Sequence, residues 1–100
     1  MTGAELIQAL PARIFWDVDP TRLDSERDAV YIIARIMDRG TRPEVNLAWS
    51  YYGDDRIKKI LLRAPCLERR TIAFFAHYFD LPPSAFKAFV RGQRQQAWSL

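Results

Sequence analysis

Apolar residues recur every three or four positions along most of this chain, and Gly or Pro separates the segments in which they do so. That period places apolar side chains on one face of an α-helix, whereas half-buried strands need strict alternation. No segment alternates over an adequate length, and no internal repeat is present. The pattern predicts an all-α fold, a compact bundle of five or six short helices in a single domain at 1–90, with a flexible, Gln-rich tail at 91–100.

The N-terminal part of the chain predicts one short helix and one isolated helical turn. Thr2 is placed to cap a helix that ends before Pro11, because proline cannot continue a helix. Asp19 followed by Pro20 matches an N-cap and a first-position proline, which predicts a helical turn over Pro20–Leu23. Three apolar residues between these elements are interpreted as an anchor that enters a groove: Phe15, Trp16 and Val18.

Two longer helices are predicted in the middle of the chain. The first spans Glu26 to Arg39, with Asp24 or Ser25 as its cap and Gly40 as a left-handed residue just past its end. Its buried stripe consists of Ala29, Ile33, Ile36 and Met37. The second starts near Pro43 and stops at Gly53. Its buried face consists of Val45, Ala48, Trp49 and Tyr52.

Residues 54–80 predict two helices joined by a short turn, the spacing of a helix-turn-helix. The first helix spans about 55–63, and the second spans Glu68 to Asp80 and is the most apolar in the chain. Its two apolar stripes are Ile72, Phe75, Ala76 and Phe79, and beside them Phe74 and Tyr78. A helix with two apolar stripes is normally central in its domain, with only its first turn exposed. An ordinary antiparallel hairpin fits the same pattern. A last short helix is predicted over Ser84 to Val90.

Charge divides the chain into two unlike halves. Residues 1–50 carry six basic and eight acidic side chains, whereas residues 51–100 carry nine basic and four acidic ones. A basic half is typical of proteins that bind nucleic acid or acidic proteins, although a solvated basic face also serves solubility. The candidate contacts to such a partner are Arg56, Lys58, Lys59, Arg63, Arg69 and Arg70.

Few residues suggest catalysis or metal binding. A single Cys66 excludes an internal disulfide and a multi-cysteine zinc site, and favours a reducing cytoplasm. Asp17 and Asp19 form an Asp-x-Asp that could hold a divalent metal, but Asp19 already has a role as a helix cap. His77 and Cys66 stand in no recognisable catalytic arrangement, and His77 is interpreted as a half-buried side chain that packs with its neighbours. We therefore expect no enzyme, cofactor or metal site, and no membrane span, since no apolar run approaches about 20 residues.

Four groups of residues, taken in order, carry a family resemblance. They are Phe15-Trp16-Asp17; Tyr31 to Ile36 with Arg39-Gly40; Tyr51-Tyr52-Gly53 with Arg56-Ile57-Lys58; and Thr71 to Phe75 with Phe79 to Pro82. Over about 14–90 the chain resembles an uncharacterised bacterial family of small helical proteins, often encoded beside nucleotidyltransferase-type toxins of the abortive-infection class. The resemblance implies an antitoxin-like or regulatory partner with no established activity or functional residues of its own. We therefore interpret the motif positions as fold determinants.

These observations lead to three hypotheses about function. The first is a non-enzymatic, cytoplasmic binding protein that acts as the antitoxin-like partner of a nucleotidyltransferase-type toxin. The second is a DNA-binding transcriptional regulator that uses the helical hairpin at 54–80. The third is a structural or interaction domain that forms a homodimer through exposed aromatic side chains. The roles of Asp17, Cys66 and His77 do not follow from the sequence alone.

Overall fold

The computed structural model describes residues 1–92, and all the regular elements in this range are helical. They are α1 (Gly3–Ala9), α2 (Ala29–Arg39), α3 (Arg42–Tyr52), α4 (Asp54–Arg63), α5 (Arg69–Tyr78) and a helical stretch at 87–92, with 3₁₀ turns at Ala12–Phe15, Pro20–Arg22 and Pro83–Ala85. The all-α prediction is confirmed. None of these helices combines the length and apolar character needed to cross a bilayer. Of the tail predicted at 91–100, the first two residues are helical and residues 93–100 lie outside the described part of the chain.

Helix α2 fills the centre of the core. The side chains of Ile32, Ile33 and Ile36 have no exposed surface, and Ala29 and Met37 are buried as predicted. The helix packs against α3, α4 and the 3₁₀ turn at Ala12–Phe15. A fully buried Ile stabilises a fold by about 1.5–3 kcal/mol relative to an exposed one. The three isoleucines therefore make α2 the main stabilising element of the domain.

The prediction that α5 is the central helix of the domain is wrong. Its first stripe is buried as expected at Ile72, Phe75 and Ala76. The second stripe faces solvent, with Phe74 61% and Tyr78 58% exposed. The reason is that α2 already occupies the centre, so α5 packs at the edge of the domain and buries only one face.

Helix α2 also begins later than predicted. Residues 25–28 form a turn, and the carboxylate of Asp24 caps that turn by accepting from the backbone N–H groups of Glu26 and Arg27, both at 2.8 Å. The carboxylate of Asp28 accepts from the backbone N–H of Asp24 at 2.9 Å and pairs with Arg27 at 2.8 Å. The prediction that Asp24 or Ser25 caps the helix is therefore wrong: Asp28 stands at the N-cap position of α2, and Asp24 stabilises a separate turn before the helix.

Two glycines end helices for different physical reasons. Gly53 has φ 86° and ψ 159°, a conformation that is essentially restricted to glycine. Gly40 has φ −79° and ψ 155°, so the predicted left-handed residue after α2 is wrong. Glycine is needed there because a Cβ atom would lie 2.5 Å from the carbonyl oxygen of Ile36, which accepts from the Gly40 N–H at 2.7 Å.

The N-terminal segment is held to the helices by specific contacts. Arg13 Nη2 donates to both carboxylate oxygens of Glu44 at 3.0 Å, and Glu44 in turn accepts from the backbone N–H of Thr41 at 2.8 Å at the start of α3. The predicted apolar anchor is only partly correct. Phe15 is buried, but Trp16 is 68% exposed and Val18 also lies at the surface. The anchor therefore consists of Phe15, together with the buried Ile14 beside it.

Replacing Gly53 with alanine tests the backbone constraint between α3 and α4. No atom lies within 4 Å of a Cβ built at this position, so the effect comes from the backbone alone. We expect Gly53→Ala to lower the free energy of unfolding by about 1–3 kcal/mol in urea titrations. Gly92→Ala is the matched control, because Gly92 is helical and equally unobstructed. It should be neutral or stabilise by up to about 1 kcal/mol, and equal losses in both variants would contradict the assignment.

Candidate functional site

The Asp-x-Asp sequence lies where the N-terminal segment meets α2. The Tyr31 hydroxyl donates to Oδ1 of Asp17 at 2.6 Å, and Nη2 of Arg35 donates to Oδ2 at 2.5 Å. The Arg35 guanidinium lies over the rings of Trp16 and Tyr31, at 5.7 and 5.1 Å from their centroids. Four residues of the sequence motifs therefore meet in what we call the Asp17 cluster, which ties a loop to the central helix: Trp16, Asp17, Tyr31 and Arg35.

Both carboxylates of the Asp-x-Asp are engaged in bonds within the chain. The Tyr31 hydrogen bond is the largest cause of the lowered pKa of Asp17, while burial and the bond to Asp17 raise the pKa of Tyr31 to about 12. Asp19 accepts from the backbone N–H and the hydroxyl of Thr21, which lower its pKa. Within residues 1–92, no group of three or more His, Cys, Asp and Glu side chains is arranged to hold a metal ion.

Cys66 and His77 do not form a catalytic pair in the described structure. Cys66 is an exposed free thiol in the turn before α5, on the wall of an open cleft of about 820 Å³ that also includes Arg35 and Arg91. His77 is exposed near the end of α5. Within residues 1–92, no hydrogen bond joins the side chain of Cys66 or of His77 to any other side chain. The interpretation of His77 as half-buried is therefore wrong, because its side chain faces solvent.

Three of the six predicted basic contacts are engaged with side chains of the same chain. Arg56 pairs with Glu26 at 2.8 Å and lies over the ring of Tyr52. Lys58 lies over the ring of Phe79, 5.6 Å from its centroid. Arg70 pairs with Glu68 at 2.9 Å. The remaining three are exposed: Lys59 and Arg63 on α4, and Arg69 at the start of α5.

A wide groove lies between α3 and α5. It has a volume of about 1020 Å³, at the upper end of the range of ligand sites. Aromatic side chains line it: Trp49, Phe74, Phe75 and Tyr78. Large exposed apolar side chains gathered in one place are typical of interaction sites. We call this surface the aromatic groove.

Trp49 of α3 positions the aromatic side chains of α5. Its ring stacks on Phe75 with centroids 6.0 Å apart and meets Tyr78 edge to face at 5.6 Å. Its Nε1 donates to the carboxylate of Asp54, which fixes the orientation of the indole. The rings of Phe74 and Tyr78, one helical turn apart, stack on each other at 6.3 Å with an angle of 16°. The groove therefore has a firm aromatic wall built on two helices.

Cationic side chains line the rim of the aromatic groove. They are Arg39 at the end of α2, Arg42 at the start of α3 and Arg70 near the start of α5. Asp38 is the one acidic residue in the lining described by the structure, and its carboxylate accepts from the backbone N–H of Glu68 at 3.1 Å. Burial raises the pKa of Asp38, although Thr71 and the Glu68 N–H act to lower it. The groove thus presents positive charge to a partner.

Sequence reasoning found only part of this site. Of the six predicted basic contacts, only Arg70 lines the aromatic groove. Arg39 and Arg42 were missed because they stand at the ends of two helices far from α5 in sequence. The second apolar stripe of α5, Phe74 and Tyr78, was noticed but assigned to the core. A helix at the edge of a small domain buries only one face. The presence of a second apolar stripe on α5 was therefore the sequence signal for an exposed aromatic surface.

The fold and this surface define a small all-helical domain with an exposed aromatic groove. The chain belongs to the family of unknown function DUF6922, which it matches over residues 10–61. The match includes the Asp17 cluster, α2, α3 and most of α4, but not α5. Searches of curated proteins and of solved structures gave no match. The family thus covers the centre of the core and one wall of the aromatic groove.

Replacing Tyr31 with Phe tests the role of the Asp17 cluster. Because the Tyr31 hydroxyl contributes most to the lowered pKa of Asp17, Tyr31→Phe should raise that pKa towards its ordinary value of 3.8. A carboxyl with a lowered folded pKa stabilises the fold above its unfolded pKa, and this contribution is lost as the pH falls through the folded pKa. As the pH is lowered, the variant should therefore lose the stabilising contribution of the Asp17 carboxylate at a higher pH than the unaltered protein does. A carboxyl ¹³C NMR titration measures the pKa directly.

Thr21→Val is the matched control for this titration. It removes the hydroxyl bond to Asp19 and should raise the pKa of Asp19 while leaving that of Asp17 unchanged. An unchanged Asp17 pKa in Tyr31→Phe would show that the hydroxyl does not hold the loop on α2.

Proposed function

We propose that this protein is a non-enzymatic binding protein that engages a protein partner through the aromatic groove. The observation that carries the proposal is the pair Phe74 and Tyr78, which stand side by side with more than half of each side chain exposed. Removing apolar surface from water is favourable by about 25 cal/mol per Å². Binding of a partner that covers the pair is therefore favoured by the burial of this apolar surface.

The composition of the groove favours a protein as this partner. Residues that dominate the binding energy of protein interfaces are enriched in Trp, Tyr and Arg, and they cluster in well-packed pockets. The aromatic groove contains Trp49 and Tyr78 beside Arg42 and Arg70. The DNA hypothesis has less support, because Arg56 and Lys58 of the predicted contacts are engaged with Glu26 and Phe79 of the same chain.

The partner we propose is a nucleotidyltransferase-type toxin, with this protein as its antitoxin. The support is the family resemblance over about 14–90 and the positive rim of the groove. Enzymes that transfer nucleotides hold divalent cations through carboxylates, so their active sites present acidic side chains. Opposite charge speeds association and selects the partner. Covering such a site would inhibit the toxin without any catalysis by this protein.

Co-expression with the product of the adjacent gene tests the proposal. We expect the two proteins to co-purify and the toxicity of the neighbour to be relieved. The double variant Phe74→Ser, Tyr78→Ser should reduce co-purification by at least about tenfold, since replacing two hot-spot aromatic residues costs more than 1 kcal/mol each. Quantitative affinity capture through a tag on the neighbour measures the loss.

The matched control is Trp16→Ser, which removes another exposed aromatic side chain outside the groove. It should co-purify like the unaltered protein. Absence of a complex, together with undiminished toxicity, would overturn the antitoxin proposal. Equal capture of the double variant would instead remove the groove from the interface.

A further inference from the structure

We propose that the occupant of the aromatic groove is an acidic segment of the partner protein, in which apolar side chains alternate with carboxylates. This inference rests on the proposed function and specifies what the groove recognises. The apolar side chains would contact Phe74, Tyr78 and Trp49. The carboxylates would pair with the arginines of the rim.

The lining of the groove contains both apolar and polar side chains, which favours an amphipathic occupant. Its apolar part comes from the aromatic side chains and from Met37 and Val45, and its polar part includes Asn46 and Ser50. An amphipathic peptide docks into such a groove through a few apolar anchors, with its polar side chains at the edge. A volume of about 1020 Å³ accommodates several side chains of one segment.

The arginine side chains on the rim can bind carboxylates of a partner. Arg70 is held by Glu68 and by a bond of 3.0 Å from its Nη2 to the carbonyl oxygen of Asp38, so it is pre-oriented. Arg39 and Arg42 are exposed, and within residues 1–92 neither side chain takes part in an ion pair. The carboxylate of Asp38 accepts from the backbone N–H of Glu68. Arginine pairs with carboxylates through two parallel hydrogen bonds, which favours an acidic occupant.

A second copy of this chain fits the groove poorly. A two-fold dimer through this surface brings the same positively charged patch of each copy together, which includes Arg39, Arg42 and Arg70. Like charges opposite each other across an interface cost several kcal/mol. Single-stranded nucleic acid also stacks on exposed aromatic rings, so an oligonucleotide is included as a probe in the titration.

Peptide titration of the isotope-labelled full chain tests this inference. The first probe is a synthetic twelve-residue peptide in which glutamate pairs alternate with leucine and tryptophan, and the second replaces each glutamate with lysine. We expect the acidic peptide to give saturable ¹H–¹⁵N shifts at the Trp49 indole and at the amides of Phe74 and Tyr78. The lysine peptide should give none. The affinity should fall as salt is raised from 50 to 500 mM, because salt screens exposed charges.

Arg42→Glu is the variant that tests the rim. It should weaken acidic-peptide binding by about tenfold, the loss expected for one charged hydrogen-bonding partner. Its fold should be preserved, because an acidic residue in the first turn of a helix is favourable. Arg63→Glu on α4 makes the same charge change outside the groove and should leave binding unchanged.

Three results would overturn the inference. They are no saturable shift with the acidic peptide, equal shifts with both peptides, and equal losses in the two variants. A twelve-residue oligothymidine that shifts the groove signals where the acidic peptide does not would assign the groove to nucleic acid instead. These results are separable from the antitoxin proposal, which fails only if no complex with the neighbouring gene product forms. A complex without peptide recognition leaves the function and removes this mode of binding.

Discussion

The isoleucine side chains of α2 are packed on several sides, and this packing constrains where the neighbouring elements lie. Ile32, Ile33 and Ile36 are fully buried, and α3, α4 and the 3₁₀ turn at Ala12–Phe15 pack around the helix. A chain of 100 residues has a small core. Once α2 occupies the centre, α5 packs at the edge and buries only one of its two apolar stripes. The exposed stripe is thus a consequence of how the core is filled.

The position of the groove follows from the same packing. The last residue of α2, the first residue of α3 and the second residue of α5 all contribute an arginine to its rim. Asp38 joins α2 to the start of the α5 region, because its carboxylate accepts from the backbone N–H of Glu68 and its carbonyl oxygen accepts from Nη2 of Arg70. Positive charge and aromatic surface therefore meet at one place because three helix ends converge there. An arrangement assembled from separate helices in this way is well suited to recognising a partner by shape and charge together.

Much of the fold is predictable from local sequence. Helix ends are encoded by short-range chemistry, such as the capping pair Thr41 and Glu44, the Asp19-Pro20 turn and the break at Gly53. What could not be predicted depends on long-range competition for the core. Phe74 is as apolar as Phe75, and only the position of α2 decides which is buried. Gly40 shows the same limit, since the close approach to Ile36 rather than a left-handed φ explains the glycine. The groove combines Arg39, Arg42 and Arg70, which local patterns do not connect.

The central claim is that the fold does not need the exposed stripe of α5. The most direct measurement is the free energy of unfolding of the Phe74→Ser, Tyr78→Ser double variant in urea, beside that of Phe75→Ala. The account predicts that the double variant stays within about 1 kcal/mol of the unaltered protein, as surface substitutions usually do. Phe75→Ala should lose about 3–5 kcal/mol, because it opens a cavity in the core. A loss of several kcal/mol in the double variant would show that the pair belongs to the core and would contradict the account.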